Sequence, residues 1–444
     1  MRSRASWART ALLVTAAFAG GAVTAQLAGA TTQGASPYAP LDQLARVLVL
    51  VENQYVEPAQ RNKVAEGAIK GMVAELDPHS AYMTPAEFAL FQGETEGKFG
   101  GVGVEVDFKN DYVTVIAPIE GSPAARAGIR PGDQIISIDG RAMRGERIDK
   151  LVGLMRGPAG SSVKLMIRRP GLAEPLTFTL QREEIHVTSV VGKRLVNDVA
   201  YVRLKQFQEG THDELLRVTA RLRAESKAPL TGVILDMRNN PGGLVDEAEA
   251  VADEFLATGV IYTTRHRGQV VDEAKAHDGG AFASLPMVTL VNEYSASSAE
   301  LVAGALQDSR RATIVGAPTF GKGSVQTIFD LPGGAGLRLT TMRYYTPSGR
   351  SIQAEGIKPD ILIQGAQPAA PGEVLRERDL EGHLPAEQGG NAGTKQTVMV
   401  DPGKPKDVVQ EAPGREVPTD PVKGSDFPLS VGYQILIKAI GDKR

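Results

Sequence analysis

From residue 184 to 365, apolar strand-like runs alternate with helical runs, and this pattern limits the fold more than any other feature of the chain. Val199–Leu204, Gly232–Met237, Met287–Val291 and Thr313–Val315 read as strands. Thr211–Arg223, Val245–Leu256 and Ser298–Gln307 read as the helices between them. Alternation of this kind predicts an α/β core with a largely parallel sheet. In such sheets the loops at the carboxyl ends of the strands gather along one edge, where sites usually form.

The rest of the 444 residues falls into distinct stretches. Arg2, Arg4 and Arg9 precede an apolar run from Ala11 to about Ala30, closed by Ala28-Gly29-Ala30 and polar Thr31-Thr32-Gln33. A basic start, an apolar middle and small residues at the end read as a secretory signal over residues 1–30. The run is also long enough to stay uncleaved as an anchor, but Gly20, Gly21, Thr15, Thr24 and Gln26 dilute it and favour cleavage. Residues 36–97 predict a helical module. Leu41, Leu44, Ala45, Leu48, Val51 and Tyr55 recur at helical spacing, and a second helix stops at Asp77-Pro78. A third opens at Thr84-Pro85-Ala86-Glu87 with a capping box and Pro at its first position.

Residues 98–183 switch to period-two alternation at Val102, Val104, Val106, Val113 and Val115, with Gly and Pro at the turns. They predict a small sheet capped by two helices. Residues 366–425 are rich in Pro, Gly, Glu and Lys, and read as a flexible linker. Residues 426–444 regain apolar character at Phe427, Leu429, Tyr433 and Leu436, which predicts a terminal helix docked on the core or on a second subunit.

A net charge of −3 with only short basic pairs excludes the basic face of a nucleic-acid binder. The absence of cysteine removes disulfides, thiolate metal sites and a Cys nucleophile. Gly316–Ser324 resembles a phosphate-binding P-loop, but Gly323 follows Lys322 where Ser or Thr is needed, and a strand follows instead of a helix. The six histidines sit in ordinary loops or surfaces, and none forms a metal-binding pattern.

Ser297 stands at the junction between the strand ending near Val291 and the helix beginning near Ser298. The free N–H groups of a helix start, that of Ser298 included, suit a developing oxyanion. A Ser-rich junction also serves as a helix cap, and that reading stands beside the catalytic one. Lys322 supplies a base if burial keeps it neutral, although a Lys in a Gly loop is more often exposed. Gln326 lies on the same side of the next strand and could orient the amine. The turn Asn239-Asn240-Pro241-Gly242-Gly243 should open at the same end of the sheet, with glycine amides free to approach a carbonyl.

The segments PHSAYMTPAEF, GSPAARAGIRPGDQIISIDG, DMRNNPGG, NEYSASSAELVAGALQD, TFGKGSVQ and YYTPSGRSIQAEGIKPD, in this order, resemble the C-terminal processing peptidases, also called tail-specific proteases. The resemblance implies an α/β protease core over residues 184–365, an inserted PDZ domain of small β-rich α+β type, and an N-terminal helical module. It implies Ser297 as nucleophile, Lys322 as general base and Gln326 as its assistant. It places oxyanion donors on the backbone of Gly242 and Ser298, and matches Asp308 to a supporting acidic position. The sequence departs from the family at Ser298-Ala299, where Ala-Ser is usual.

In the PDZ segment the resemblance puts the carboxylate-binding loop at Gly100, Gly101, Val102 and Gly103, with Val104 opening the ligand-pairing strand. Ile148, Leu151 and Val152 are expected in the side-chain pocket, and Arg156 as a gating residue. The partners implied are protein or peptide substrates with free, apolar C-termini, with a homodimer and an adaptor or activator as further candidates. No metal, nucleotide or other cofactor is called for. The implied place of action is exported, periplasmic or extracytoplasmic. A non-catalytic PDZ adaptor on a protease-like fold is the alternative, against which the intact set of Ser297, Lys322 and Gln326 speaks.

Overall fold

A strand buried on both faces shows no polar alternation, and in Gly-Val-Ile-Leu-Asp at 232–236 all five residues are buried. Such a strand needs cover on two sides. The computed structural model describes residues 38–109, 112–146, 148–363, 375–387, 398–400 and 417–442, and supplies that cover. The signal at 1–30 lies outside the described residues.

In chain order the elements are α1 (Ala39–Gln54), α2 (Arg61–Ala74), β1 (Ala81–Met83), α3 (Pro85–Thr95), β2 (Lys98–Gly101), β3 (Val104–Lys109), β4 (Tyr112–Pro118), α4 (Pro123–Arg126), β5 (Gln134–Ile138), β6 (Arg141–Ala142), α5 (Ile148–Met155), β7 (Ser162–Arg168), β8 (Leu176–Gln181) and β9 (Glu183–His186). The core adds β10 (Val190–Arg194), β11 (Val199–Leu204), α6 (Thr211–Ala224), β12 (Gly232–Asp236), α7 (Val245–Asp253), β13 (Val260–His266), β14 (Gln269–Lys275) and β15 (Met287–Val291). It continues through α8 (Ser298–Asp308), β16 (Thr313–Gly316), β17 (Ser324–Asp330), β18 (Gly336–Tyr345), β19 (Ile361–Ile363), β20 (Val398–Val400) and α9 (Phe427–Gly441).

Residues up to 71 form one unit. In it α1 buries none of its residues, and Glu52 bonds Arg61 through Oε2 and Nη2 at 2.7 Å. Residues from 72 onward form the other unit. Its central sheet runs β10-β11-β12-β15-β16-β19-β20, parallel except for β10. Side chains alternate across it. Val233 and Leu235 join the cluster containing α7 and α8, while Ile234, Val288 and Leu290 meet Leu429, Tyr433 and Leu436 of α9 on the opposite face. Helix α9 lies so close that a Cβ on Gly432 would stand 2.8 Å from Leu290 Cδ2. A second, antiparallel sheet runs β1-β18-β13-β14, with β17 on β18.

The inserted module is a sheet in the order β3-β4-β5-β7-β8, with its own core of Val113, Ile135, Leu151, Leu165 and Ile167. The two-stranded ribbon β2–β9 carries the chain into and out of it.

Within the stretch 366–425, the described residues 375–387 differ from the linker expected of its composition. Residues 375–387 pack on the core, with Glu377 1% exposed. Polar contacts hold this segment, and composition does not register those: Glu377 N–H donates to Phe320 O at 3.2 Å, and Arg343 Nη1 donates to Pro385 O at 3.1 Å. Helix α9 is docked on the chain's own sheet. Leu436→Ala should therefore lower unfolding free energy by about 3 kcal/mol, the usual cost of a buried Leu truncation, read by urea denaturation. A loss below about 1 kcal/mol would mean that α9 is not part of the core.

Candidate active site

Three neighbouring parallel strands deliver three loops to one edge of the central sheet. The turn 237–243 follows β12, residues 292–297 follow β15, and residues 317–323 follow β16. Parallel direction alone puts all three at the same end.

The first two loops are stitched together. Asn239 N–H donates to Asn292 Oδ1 at 2.8 Å, and Asn292 Nδ2 donates back to Asn239 Oδ1 at 2.7 Å. Ala296 N–H donates to Asn240 O at 2.9 Å, and Ser295 Oγ donates to Met237 O at 2.8 Å. Buried Asn240 braces the turn from within, donating to Leu204 O at 3.0 Å. Gly242 has φ +98°, and a Cβ there would lie 2.8 Å from Ser297 Cβ and 3.0 Å from Ser298 N. Only glycine allows this approach. The turn is thus pressed against the start of α8. The Gly242 amide itself donates to Asn240 Oδ1 at 2.8 Å in this structure.

Ser297 has φ 55° and ψ −119°, a region that non-glycine residues rarely occupy. Such backbone costs of order 1–3 kcal/mol and clusters at functional sites. A strained strand-to-helix turn is also how nucleophile elbows lift a serine above a sheet. Ser297 is 8% exposed, and the Ser298 N–H behind it is the first of the helix, without an intrahelical acceptor.

Glu300, one turn into α8 and fully buried, binds the third loop to the second. Its Oε2 accepts from Ser297 N–H and from Lys322 N–H, both at 2.8 Å. Its Oε1 accepts from Gly321 N–H at 2.7 Å and from Thr319 Oγ1. One carboxylate oxygen therefore holds the backbones of Ser297 and Lys322 together. Burial pushes the carboxyl up to about 7, against the four hydrogen bonds, which favour the ionised form.

Burial lowers the Lys322 ammonium from its ordinary 10.5 to about 8. Arg338 pushes in the same direction, and Glu377, Glu300 and Asp77 oppose it. At pH 7 roughly a tenth of this amine is neutral, against about 3 in 10,000 for an ordinary lysine. The surrounding charges are fixed. Asp77 accepts from Ser80 Oγ at 2.7 Å, His79 N–H at 2.8 Å and Thr340 Oγ1 at 3.0 Å. Glu377 meets His79 Nε2 at 2.7 Å and Gln353 Nε2 at 2.8 Å, and Arg338 Nε donates to His79 O at 2.8 Å.

The structure brings Ser297, Ser298, Gly242 and Lys322 to this edge. Gln326 sits on β17 with its amide donating to Ser324 Oγ at 2.9 Å and Thr340 Oγ1 at 3.3 Å. Asp308 is not at this edge. It ends α8, where it accepts from Ser348 Oγ at 2.6 Å and Arg350 Nη2 at 3.4 Å.

In the inserted module, Gly100 and Gly101 belong to β2, and Val102 O and Gly103 O accept from Ala124 and Ile119 amides at 2.9 and 3.0 Å. Val104 opens β3, the terminal strand of its sheet among the described residues. Leu151 is fully buried in the module's core, Val152 is half-buried, and Ile148 begins α5. Arg156 pairs with Glu94 at 2.5 Å and stacks 4.7 Å from the Phe99 ring centroid.

Glu300, Asp77, Arg338 and Glu377 went unread in the sequence, and His79 passed for an ordinary loop residue. The Ser-x-x-Glu spacing at 297–300 was a usable signal for Glu300. Glu377 lies in a stretch of linker composition and offered none.

The model of peptidase family S41 matches residues 198–363, that of the PDZ domain residues 114–169, and that of the activating protease CtpB N-terminal domain residues 8–86. The chain is 42% identical to a carboxy-terminal-processing protease of Bartonella bacilliformis over 86% of this chain and 88% of that protein. It is 37% identical to a probable CtpA-like serine protease of Staphylococcus aureus, over 73% of this chain and 65% of that protein. Among solved structures, the photosystem II D1 C-terminal processing protease aligns at 30% identity and TM-score 0.47, over 77% of this chain and 92% of that one.

Glu300→Gln places an NH₂ against one pair of buried donors. Each orphaned donor costs about 1–3 kcal/mol, so a stability loss of about 3 kcal/mol is expected in urea denaturation. Unchanged stability would mean that the carboxylate does not clamp the two loops.

Proposed function

The chain belongs to the carboxy-terminal-processing proteases of peptidase family S41, and on that premise we propose that it is a serine endopeptidase that uses Ser297 and Lys322 to cut proteins near their C-termini. The observation that carries this reading is the shared bond to Glu300 Oε2, which ties the amides of Ser297 and Lys322 to one atom.

In the proposed mechanism the neutral Lys322 amine takes the hydroxyl proton of Ser297 as Oγ bonds to the scissile carbonyl carbon. The resulting oxyanion is held by the Ser298 N–H and by Gly242, whose amide must turn from Asn240 toward the substrate. Collapse breaks the C–N bond, and the Lys322 ammonium returns its proton to the leaving amine. Lys322 then deprotonates a water that attacks the acyl-enzyme ester; the C–O bond to Ser297 breaks as the Lys322 ammonium returns this proton to Oγ, and the carboxylate product leaves. Gln326 and the hydroxyls of Ser324 and Thr340 orient the polar wall beside Lys322. Asp308 supports the site from the far end of α8.

The family match over 114–169 supports a PDZ domain that takes the substrate's C-terminus. In this reading the edge of β3 pairs with the peptide while the Gly100–Gly103 loop receives its carboxylate, and Val152 on α5 lines the side-chain pocket over the buried Leu151. Arg156, bridging α5 to Glu94 and Phe99, is the proposed gating contact. We assign the protein to the extracytoplasmic space through its N-terminal segment. No helix among the described residues is long and apolar enough to cross a membrane. Exposed Leu41, Leu44 and Val47 on α1 favour self-association or an adaptor at that end.

Purified protein should cleave an unstructured substrate with an apolar C-terminus, and Ser297→Ala and Lys322→Ala should abolish cleavage while retaining the fold. Below pH 8, kcat/KM should fall about tenfold per pH unit as Lys322 protonates, reaching about a hundredth of its plateau at pH 6. A rate that is flat from pH 5 to 9 would rule out the lysine base. Equal cleavage by both variants and the parent would rule out the dyad.

A further inference from the structure

The turn that presses on Ser297 is anchored on its other side by the C-terminal helix. Arg238, the second residue of that turn, is buried and lies between two carboxylates. Its Nε donates to Asp236 Oδ1 at 2.9 Å and its Nη2 to Asp236 Oδ2 at 2.6 Å. Its Nη1 and Nη2 donate to Asp426 Oδ1 and Oδ2, both at 2.8 Å. Asp236 is fully buried and also accepts from Tyr201 OH at 2.7 Å. Asp426 is the N-cap of α9, accepting from Leu429 N–H at 3.1 Å. The guanidinium is thus a bidentate bridge between the end of β12 and the start of a helix 188 residues further along.

We propose that Asp426 is a positioning residue for the oxyanion turn: docking of α9 through the Asp426–Arg238 pair holds residues 238–243 in catalytic register against Ser297. The chain of contacts is short. Arg238 is followed by Asn239, which is locked to Asn292, and by Asn240, whose carbonyl accepts from Ala296 N–H, so the pair fixes the backbone from which the Gly242 amide turns from Asn240 toward the substrate. Releasing the guanidinium at one end would free the first residues of a turn packed so tightly that a Cβ on Gly242 would lie 2.8 Å from Ser297 Cβ and 3.0 Å from Ser298 N. Errors of about 1 Å in such a donor cost about a hundredfold in rate. The contacts proposed for the substrate's C-terminus lie in the inserted module, outside this turn, so KM is expected to change little. A rigid pair of this kind also explains why Arg238 is spent on two buried carboxylates where an apolar core would pack as well.

This inference rests on Ser297 being the nucleophile, so the test begins there. A fluorophosphonate reacts with an activated serine and places its phosphoryl oxygen in the oxyanion hole. The full chain should label at Ser297, and Ser297→Ala should not; absence of labelling in the parent would overturn the nucleophile and this proposal with it. Asp426→Ser keeps a good helix cap but removes the carboxylate. It should label at least tenfold more slowly, with kcat reduced by the same factor and KM within about twofold. Leu436→Ala, which weakens α9 without touching Arg238, should lose comparable thermal stability yet label at the parent rate. Labelling of Asp426→Ser at the parent rate overturns the positioning role alone. So does equal slowing in both variants, which would mark α9 as merely stabilising. Should Asp426→Ser not fold, Asp426→Asn decides, with an intermediate slowing expected and a parent rate contradicting the proposal.

Discussion

Everything at the candidate site hangs on one buried carboxylate. Glu300 has no solvent and four donors, and those donors come from two places in the chain: Ser297 at the start of its own helix, and Thr319, Gly321 and Lys322 in the loop after β16. A buried carboxylate without partners is costly enough that it neutralises itself. Here the partners are the very backbone groups that must be brought together. Satisfying Glu300 and assembling the site are therefore the same event, and the strain at Ser297 is held by the bonds that make the site.

The same burial sets the chemistry. Lys322 is lowered because water is excluded, and the neighbouring charges largely oppose one another: Arg338 on one side, Glu377, Glu300 and Asp77 on the other. The acids are themselves engaged, Asp77 by Ser80 and Thr340, Glu377 by His79 and Gln353. Exclusion of water thus decides the direction. A segment of unpromising composition, 375–387, closes over this region, so water exclusion depends on residues well outside the parallel sheet.

Much of this was legible in the sequence because it follows from periodicity. The alternation over 184–365 predicts parallel strands, and parallel strands place the turn after Asp236, Ser297 and the loop of Lys322 at one edge whatever the loops contain. The docked terminal helix was legible from Leu429, Tyr433 and Leu436 for the same reason. Polar pairing across long separations was not. Glu377 meets His79 across 298 residues and Asp426 meets Arg238 across 188, and no local pattern encodes either. Asp308 shows the converse: its position in a motif said nothing of the fact that a helix carries it away from the serine that begins the same helix. Leu151, expected in a pocket, is a core residue because an amphipathic helix turns its most regular apolar positions inward.

The central claim is that Lys322 is an amine that burial keeps available as a base near neutral pH. A direct titration tests it. In the Ser297→Ala protein, so that no proton is shared with the hydroxyl, the side-chain nitrogen of Lys322 can be followed by NMR with selectively labelled lysine, assigned by its loss in Lys322→Arg. A midpoint close to 8 is the predicted result. A midpoint near 10.5, the value of a lysine in water, would show that the amine is solvated and would contradict the account.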